Sequence, residues 1–268
     1  MMTEIIARRQ FDPLYIWLDV LFLCVFALLL LWRKKYTTVL VGLFAGLLYM
    51  AVDYGIFHLL CGAREISDGY SLFWVLLWMS MSYGFTNFTW IWLWISKDHH
   101  LFEWSLLILS WWFCCPLLTQ TFGGGEPIVI QRTTGAYHGY MALILFAGYF
   151  GLIVWNLSRK NAAEKAPILW LLIIGILVQF GWEAMLLIGG IRSAGFSGIE
   201  KLFPLLVNSL LETNLGMPYV YLLFLLYSSR FTEQCRRRKT RLTLKARIAE
   251  NNAERARADA AYSAYLDE

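Results

Sequence analysis

The chain has 268 residues, of which 59% are hydrophobic, 17% aromatic and only 16% charged, and its formal net charge is +4 at pH 7. An average soluble domain is about 25% charged, so this composition excludes an ordinary soluble globular domain and points to an integral membrane protein. The predicted class is all-α, a polytopic bundle of seven transmembrane helices in the cell membrane, or in the endoplasmic reticulum if the source is eukaryotic.

A bilayer span needs about 20 predominantly apolar residues. On that measure the spans run Pro13 to Trp32, Tyr36 to Leu60, Leu72 to Ser96, Leu101 to Phe122, Ala136 to Leu157 and Ile168 to Ile191, with a seventh inside Leu202 to Ser229. The first follows a dozen more polar residues and lacks a small-residue cleavage site, so it reads as a retained span and not a signal peptide. Basic clusters at Arg33 to Lys35, Lys97, Arg159 to Lys165 and Arg230 onward mark alternate connections as cytoplasmic. The N-terminus is therefore expected outside and the C-terminus inside. Residues 1–229 form the expected membrane domain. Residues 230–268 form a basic, then mixed-charge, helical tail on the cytoplasmic side.

Gly123 to Gly125, in the longest outer connection, read as a flexible turn; a phosphate loop needs a following Gly-Lys-Ser/Thr. The five cysteines fall at no metal spacing, and no metal site, cofactor or nucleic-acid partner is expected. The expected partners are the bilayer and a lipophilic small molecule.

Four acids, Asp19, Asp53, Glu183 and Glu212, lie inside the apolar runs. Intramembrane carboxyls are expensive and mark functional sites. All four are expected in the outer half of the membrane. Gln179 precedes Glu183 by four residues and Asn208 precedes Glu212 by four, so each amide shares a helix face with an acid and can orient it. Burial and neighbouring carboxyls disfavour the anion, so one of the group is expected to hold a proton, as a general acid must. Tyr83, Asn87, Trp90 and Trp94 recur at helical steps and form a polar and aromatic stripe. Trp182 adds a further deep indole, and π-faces in a dry site stabilise a cation.

The second span, KYTTVLVGLFAGLLYMAVDYGIF, ends on an acid flanked by aromatics, and the last, LLETNLGMPYVYLLF, sets an acid four residues before Gly216 and six before Pro218. In a seven-helix chain of this size these segments resemble the integral membrane terpene cyclases of fungal meroterpenoid and indole-diterpene pathways and their bacterial relatives. The resemblance implies that Asp53 and Glu212 protonate an epoxide or alkene of a prenylated substrate, with Glu183 as a further candidate acid. Where the family motif reads alanine, tryptophan, glutamate, this chain has Ala51, Val52 and Asp53, while Trp182 and Glu183 form such a pair in the sixth span. Tyr83, Asn87, Trp90, Gln179, Trp182, Asn208 and Asp19 are then the expected lining. No metal is implied, because protonation and not diphosphate ionisation starts the reaction. Two other readings stay open: a proton-coupled small-molecule transporter, suggested by Pro204 and Gly216 to Pro218 around Glu212, and a seven-helix sensor acting through the charged tail.

Overall fold

The structure, a computed structural model, describes residues 7–132, 137–161, 164–192, 198–240, 252–253 and 255–257. The chain divides into two units, residues 1–221 and 222–268. The first holds the helical bundle and all ten candidate site residues.

Strand β1 (Ala7–Phe11) leads into α1 (Pro13–Trp32). The Asp12 carboxylate caps α1 by accepting from Leu14 N at 2.7 Å, and Pro13 supplies a preset first turn. The second Asp12 oxygen accepts from Gly125 N at 3.1 Å. A Cβ at Gly123 would lie 2.6 Å from that same oxygen. Gly123 and Gly125 of the triple glycine therefore permit a close approach of this turn to the start of α1.

Helix α2 (Tyr36–Met50) runs without a break into a π-helical segment, Ala51–Leu60. A ten-residue π segment is unusual, and π turns tend to mark functional positions. Its end is closed by Gly62 in the left-handed region at φ 60°. Strand β2 (Arg64–Ile66) follows, then α3 (Leu72–Ile95), α4 (Leu101–Phe122), β3 (Ile128–Arg132), α5 (His138–Ser158), α6 (Ile168–Ile188), α7 (Leu202–Leu211) and α8 (Met217–Thr240). Helices α2 and α3 pack almost backbone to backbone, since a Cβ on Gly84 would meet Gly46 Cα at 2.7 Å. Small residues at such a contact let helices approach in a setting where lipid removes the hydrophobic drive for association.

Among the described residues, five helical stretches are long and apolar enough to cross a membrane: Pro13–Trp32, Tyr36–Leu60, Leu101–Phe122, His138–Ser158 and Ile168–Ile188. Helix α3 has the length, but Ser80, Ser82, Thr86, Asn87 and Thr89 make it more polar, and nearly all of its second half is buried by its neighbours. The seventh stretch is two helices, α7 and α8, separated at Glu212–Gly216. The expected start of the fifth span at Ala136 lies outside the described residues. The sixth stops at Ile188, three residues early. There Gly190 turns left-handed at φ 72°, and Ile191 N and Arg192 N both bond Leu186 O at 3.0 Å.

The helical bundle is as expected, and among the described residues it carries one unexpected addition, a three-stranded antiparallel sheet ordered β1, β3, β2. Arg9 pairs with Ile130 in one register and Ile66 with Ile130 in the other. β-branched IVIQR forms the middle strand. In β1 exposure alternates, with Arg8 and Gln10 out and Arg9 and Phe11 buried, as a period of two requires. Gln10 N donates to Ile191 O at 3.0 Å and Arg9 bridges to Arg192, which ties the sheet to the end of α6. Of the expected helical tail, Asn252–Ala253 and Arg255–Arg257 are helical and the rest of 241–268 lies outside the described residues.

Candidate functional site

Helices α6 and α7 meet through a polar cluster with no exposure at its centre. At ~1.5 Å per residue, Glu183 sits ~8 Å in from the sheet end of α6 and is 0% exposed. Its Oε2 lies 3.1 Å from Arg192 Nε, and its Oε1 lies 3.8 Å from an Arg9 guanidinium nitrogen. Neither arginine stands in a span. Arg9 reaches in from β1, on the buried face that strand alternation gives it, and Arg192 follows the left-handed turn that ends α6.

Both amides orient acids: Gln179 reaches the Glu183 that its spacing suggested and Glu212 as well, while Asn208 takes Glu183 in place of Glu212. Asn208 Nδ2 donates to Glu183 Oε1 at 3.2 Å across the helix interface. Gln179 Nε2 donates to Glu212 Oε2 at 3.0 Å and stands at 3.5 Å from Glu183 Oε1. The orientation of the Gln179 amide is decided by its oxygen, which accepts from Tyr83 at 2.7 Å and from Thr213 at 2.5 Å. With the carbonyl held by two hydroxyls, the NH2 group must face the two acids. Asn208, Gln179, Glu183 and Glu212 thus form one network from two helices.

Glu212 lies where α7 ends and the chain unwinds. Glu212 N still bonds Asn208 O, while Gly216 N and Met217 N bond back to Thr213 O and Asn214 O, so the break is a closed pair of turns. Thr213 and Asn214 within it are fully buried. Asn214 packs on Gly175 of α6, where a Cβ would lie 2.3 Å from Asn214 Oδ1. Tyr149 donates to the same Oδ1 at 3.4 Å. Polar groups therefore line α6 from Glu183 down to Gly175, a distance of ~12 Å.

Aromatic side chains abut this network. The Tyr83 ring lies 6.0 Å from Trp182, Trp182 lies 4.9 Å from Trp112, and Trp112 lies 5.8 Å from Trp90. The rings pack tilted or edge to face, as their quadrupoles favour. Trp90 donates to Ser105 at 2.8 Å. The Trp182 indole N–H and both amide atoms of Asn87 are buried with no hydrogen-bond partner among the described residues, and buried polar atoms of that kind are uncommon. A narrow cavity of about 10 Å3, lined by Arg9, Tyr15, Trp78, Trp182 and Ile191 among others, has room for about one water molecule.

Asp53 and Asp19 stand apart from this network. The Asp53 Oδ1 accepts from Arg64 at 2.6 and 3.2 Å, and Arg64 stacks 4.5 Å over the Phe57 ring. The π-helical turn brings the carboxyl to β2, where Arg64 holds it. Asp19, ~9 Å in from the sheet end of α1, accepts from Trp78 at 2.9 Å and Trp111 at 3.4 Å. Among the described residues, the four acids thus make three separate sets of contacts. Sequence reasoning missed Arg9, Arg64, Arg192 and Thr213, and it placed Trp78 and Trp111 deep in their spans without pairing them to Asp19; the alternation of ARRQF was the one available signal that Arg9 faces inward. No protein-family model, no curated protein and no solved structure matches the chain.

Proposed function

We propose that the chain is a seven-span membrane protein with its sheet end outside, and that it cyclises a lipophilic prenylated substrate with Glu212 as the starting acid. The observation that carries the reading is the direct linkage of an intramembrane carboxyl, through Gln179, to Tyr83 and the indoles of Trp182, Trp112 and Trp90. An acid beside π-faces in a dry interior is the equipment that protonation and cation migration need.

In this reading the Glu212 proton passes to an epoxide oxygen or an alkene carbon of the substrate. The epoxide C–O bond opens, or the alkene π pair becomes the new C–H bond, and a carbocation remains. Neighbouring π pairs close rings, and loss of a proton to the Glu212 carboxylate ends the sequence and restores the acid. Gln179 orients the carboxyl. Asn87 and the Trp182 N–H offer unspent polar atoms for a substrate oxygen. Asp53, paired with Arg64, holds the sheet to the π-helical segment, and Glu183 serves as a fixed counter-ion. The rings touch one another, so the substrate must part them as it enters from the bilayer.

A second reading rests on the break between α7 and α8. Discontinuous helices around a protonatable acid are a common design for a transporter site, and here Glu212 sits at the break itself. Protein purified in detergent and supplied with a polyprenyl epoxide separates the two. A cyclase forms cyclic product without any gradient and loses about 100-fold or more on Glu212→Gln, while Asp53→Asn acts on stability more than on turnover. Absence of product in detergent, together with solute uptake into sealed vesicles driven by a pH gradient, sinks the cyclase reading.

A further inference from the structure

At the end opposite the sheet, two helix connections come together in an unusual way. The turn after α1 holds Lys34 in the left-handed region at φ 57°, and the turn after α3 holds Lys97 there at φ 52°. The same backbone pattern closes both: Lys35 N bonds Leu30 O, and Asp98 N bonds Leu93 O. Non-glycine residues rarely adopt this conformation, and here each turn is held by the other. The Lys35 ammonium pairs with Asp98, and the Arg33 guanidinium donates to His100 Nε2. His100 N donates to Asp98 Oδ1 at 3.0 Å, and His100 Nδ1 faces Glu103 at 3.5 Å.

This arrangement frames an open pocket of about 420 Å3 lined by Trp32, Arg33, Lys34, Lys35, His99 and His100. Asp98 is spent on Lys35, so the groups left facing the pocket are cationic or hydrogen-bond donors. Among the described residues, Lys34 and His99 make no side-chain hydrogen bond or ion pair, and Lys34 is exposed. The pocket stands where α1 ends and α4 begins, at the ends of two helices long and apolar enough to cross a membrane. Below it the same two helices present exposed Leu28 and Leu31, and Phe102 and Leu106. A polar pocket above apolar helix surface matches a molecule with an anionic head and hydrocarbon chains.

We propose that this pocket binds the phosphate headgroup of an anionic lipid, with Arg33 and Lys34 as its principal cations and the acyl chains lying along α1 and α4. Arg33 is suited to it because one edge of its guanidinium is held by His100 while the rest is turned to the pocket, which presents a preset fork to phosphate oxygens. Trp32 is placed at headgroup depth, where an indole anchors well.

The test uses the full chain purified in nanodiscs of phosphatidylcholine alone or doped with phosphatidylglycerol, with native mass spectrometry of the lipid that stays bound. Phosphatidylglycerol should be retained preferentially. Preference should fall about fivefold on Lys34→Gln, whose side chain supports nothing else, and roughly thirtyfold on the double change Arg33→Gln with Lys34→Gln. Lys160→Gln, an exposed cation on another connection, should leave retention unchanged. Equal retention of both lipids overturns the proposal, and so does an equal loss on Lys160→Gln, which would show general surface electrostatics. Displacement of phosphatidylglycerol by millimolar inorganic phosphate overturns the lipid source in favour of free phosphate.

Discussion

Glu183 and Asp19 are both buried carboxyls, at 0% and 2% exposure, at similar depths from the sheet end of their helices. Their surroundings differ completely. Glu183 lies against two arginines and the amide of Asn208, whereas Asp19 takes hydrogen bonds from two indoles and, among the described residues, no cation pairs with it. The arginines come from a strand and a post-helix turn, not from the spans. Glu183 thus acquires its charge partners from the short polar segments between helices, Arg9 from the sheet and Arg192 from the turn that ends α6. Glu183 belongs to the architecture that holds the sheet on the bundle. Asp19 belongs to an aromatic core that tolerates it.

Neutralising each acid in turn gives the sharpest contrast. Glu183→Gln leaves Arg192 buried beside a neutral amide and is expected to destabilise the protein by about 3–5 kcal/mol, with much of this recovered when Arg192→Met is added. Thermal unfolding in detergent measures both. Asp19→Asn keeps the shape and one acceptor oxygen, and its effect should stay within about 1 kcal/mol. Equal losses at the two sites would remove the distinction. Gly175→Ala drives a methyl into Asn214 and should cost about 1–3 kcal/mol, loosening the turn that carries Glu212 without touching either arginine. Trp78→Phe deletes one donor to Asp19 and should cost about 1 kcal/mol.

The smallest effect is expected at the basic end. Burial pushes the Asp98 carboxyl up, but the Lys35 ammonium and the His100 N–H outweigh it and hold the group below its usual value. A carboxyl depressed in the folded state stabilises above its unfolded pKa of about 4. That contribution fades as pH falls through the folded value. A melting temperature followed below pH 4 should therefore drop less steeply in Asp98→Asn than in the parent protein.

Much of this was legible in the chain. The apolar runs located the helices to within a few residues, because a hydrocarbon layer imposes a minimum length on any sequence that crosses it. The four acids and the i, i+4 amides were visible for a similar reason: polar groups stand out against an apolar background and helical spacing assigns their faces. The pairing was not legible. Spacing along α6 places Gln179 next to Glu183, yet Gln179 also bonds Glu212, and more closely, because Tyr83 and Thr213, which come from α3 and the α7–α8 break, hold its carbonyl and turn its NH2 group across the interface. Arg9, Arg64 and Arg192 looked like loop charges.

The sequence by itself determined that this is a chain of long apolar helices carrying buried acids, since composition and periodicity act locally along the chain. Which acid meets which cation was decided only by the tertiary structure. A three-stranded sheet built from segments more than a hundred residues apart in the chain aims Arg9 and Arg64 inward, and no local pattern records that closure.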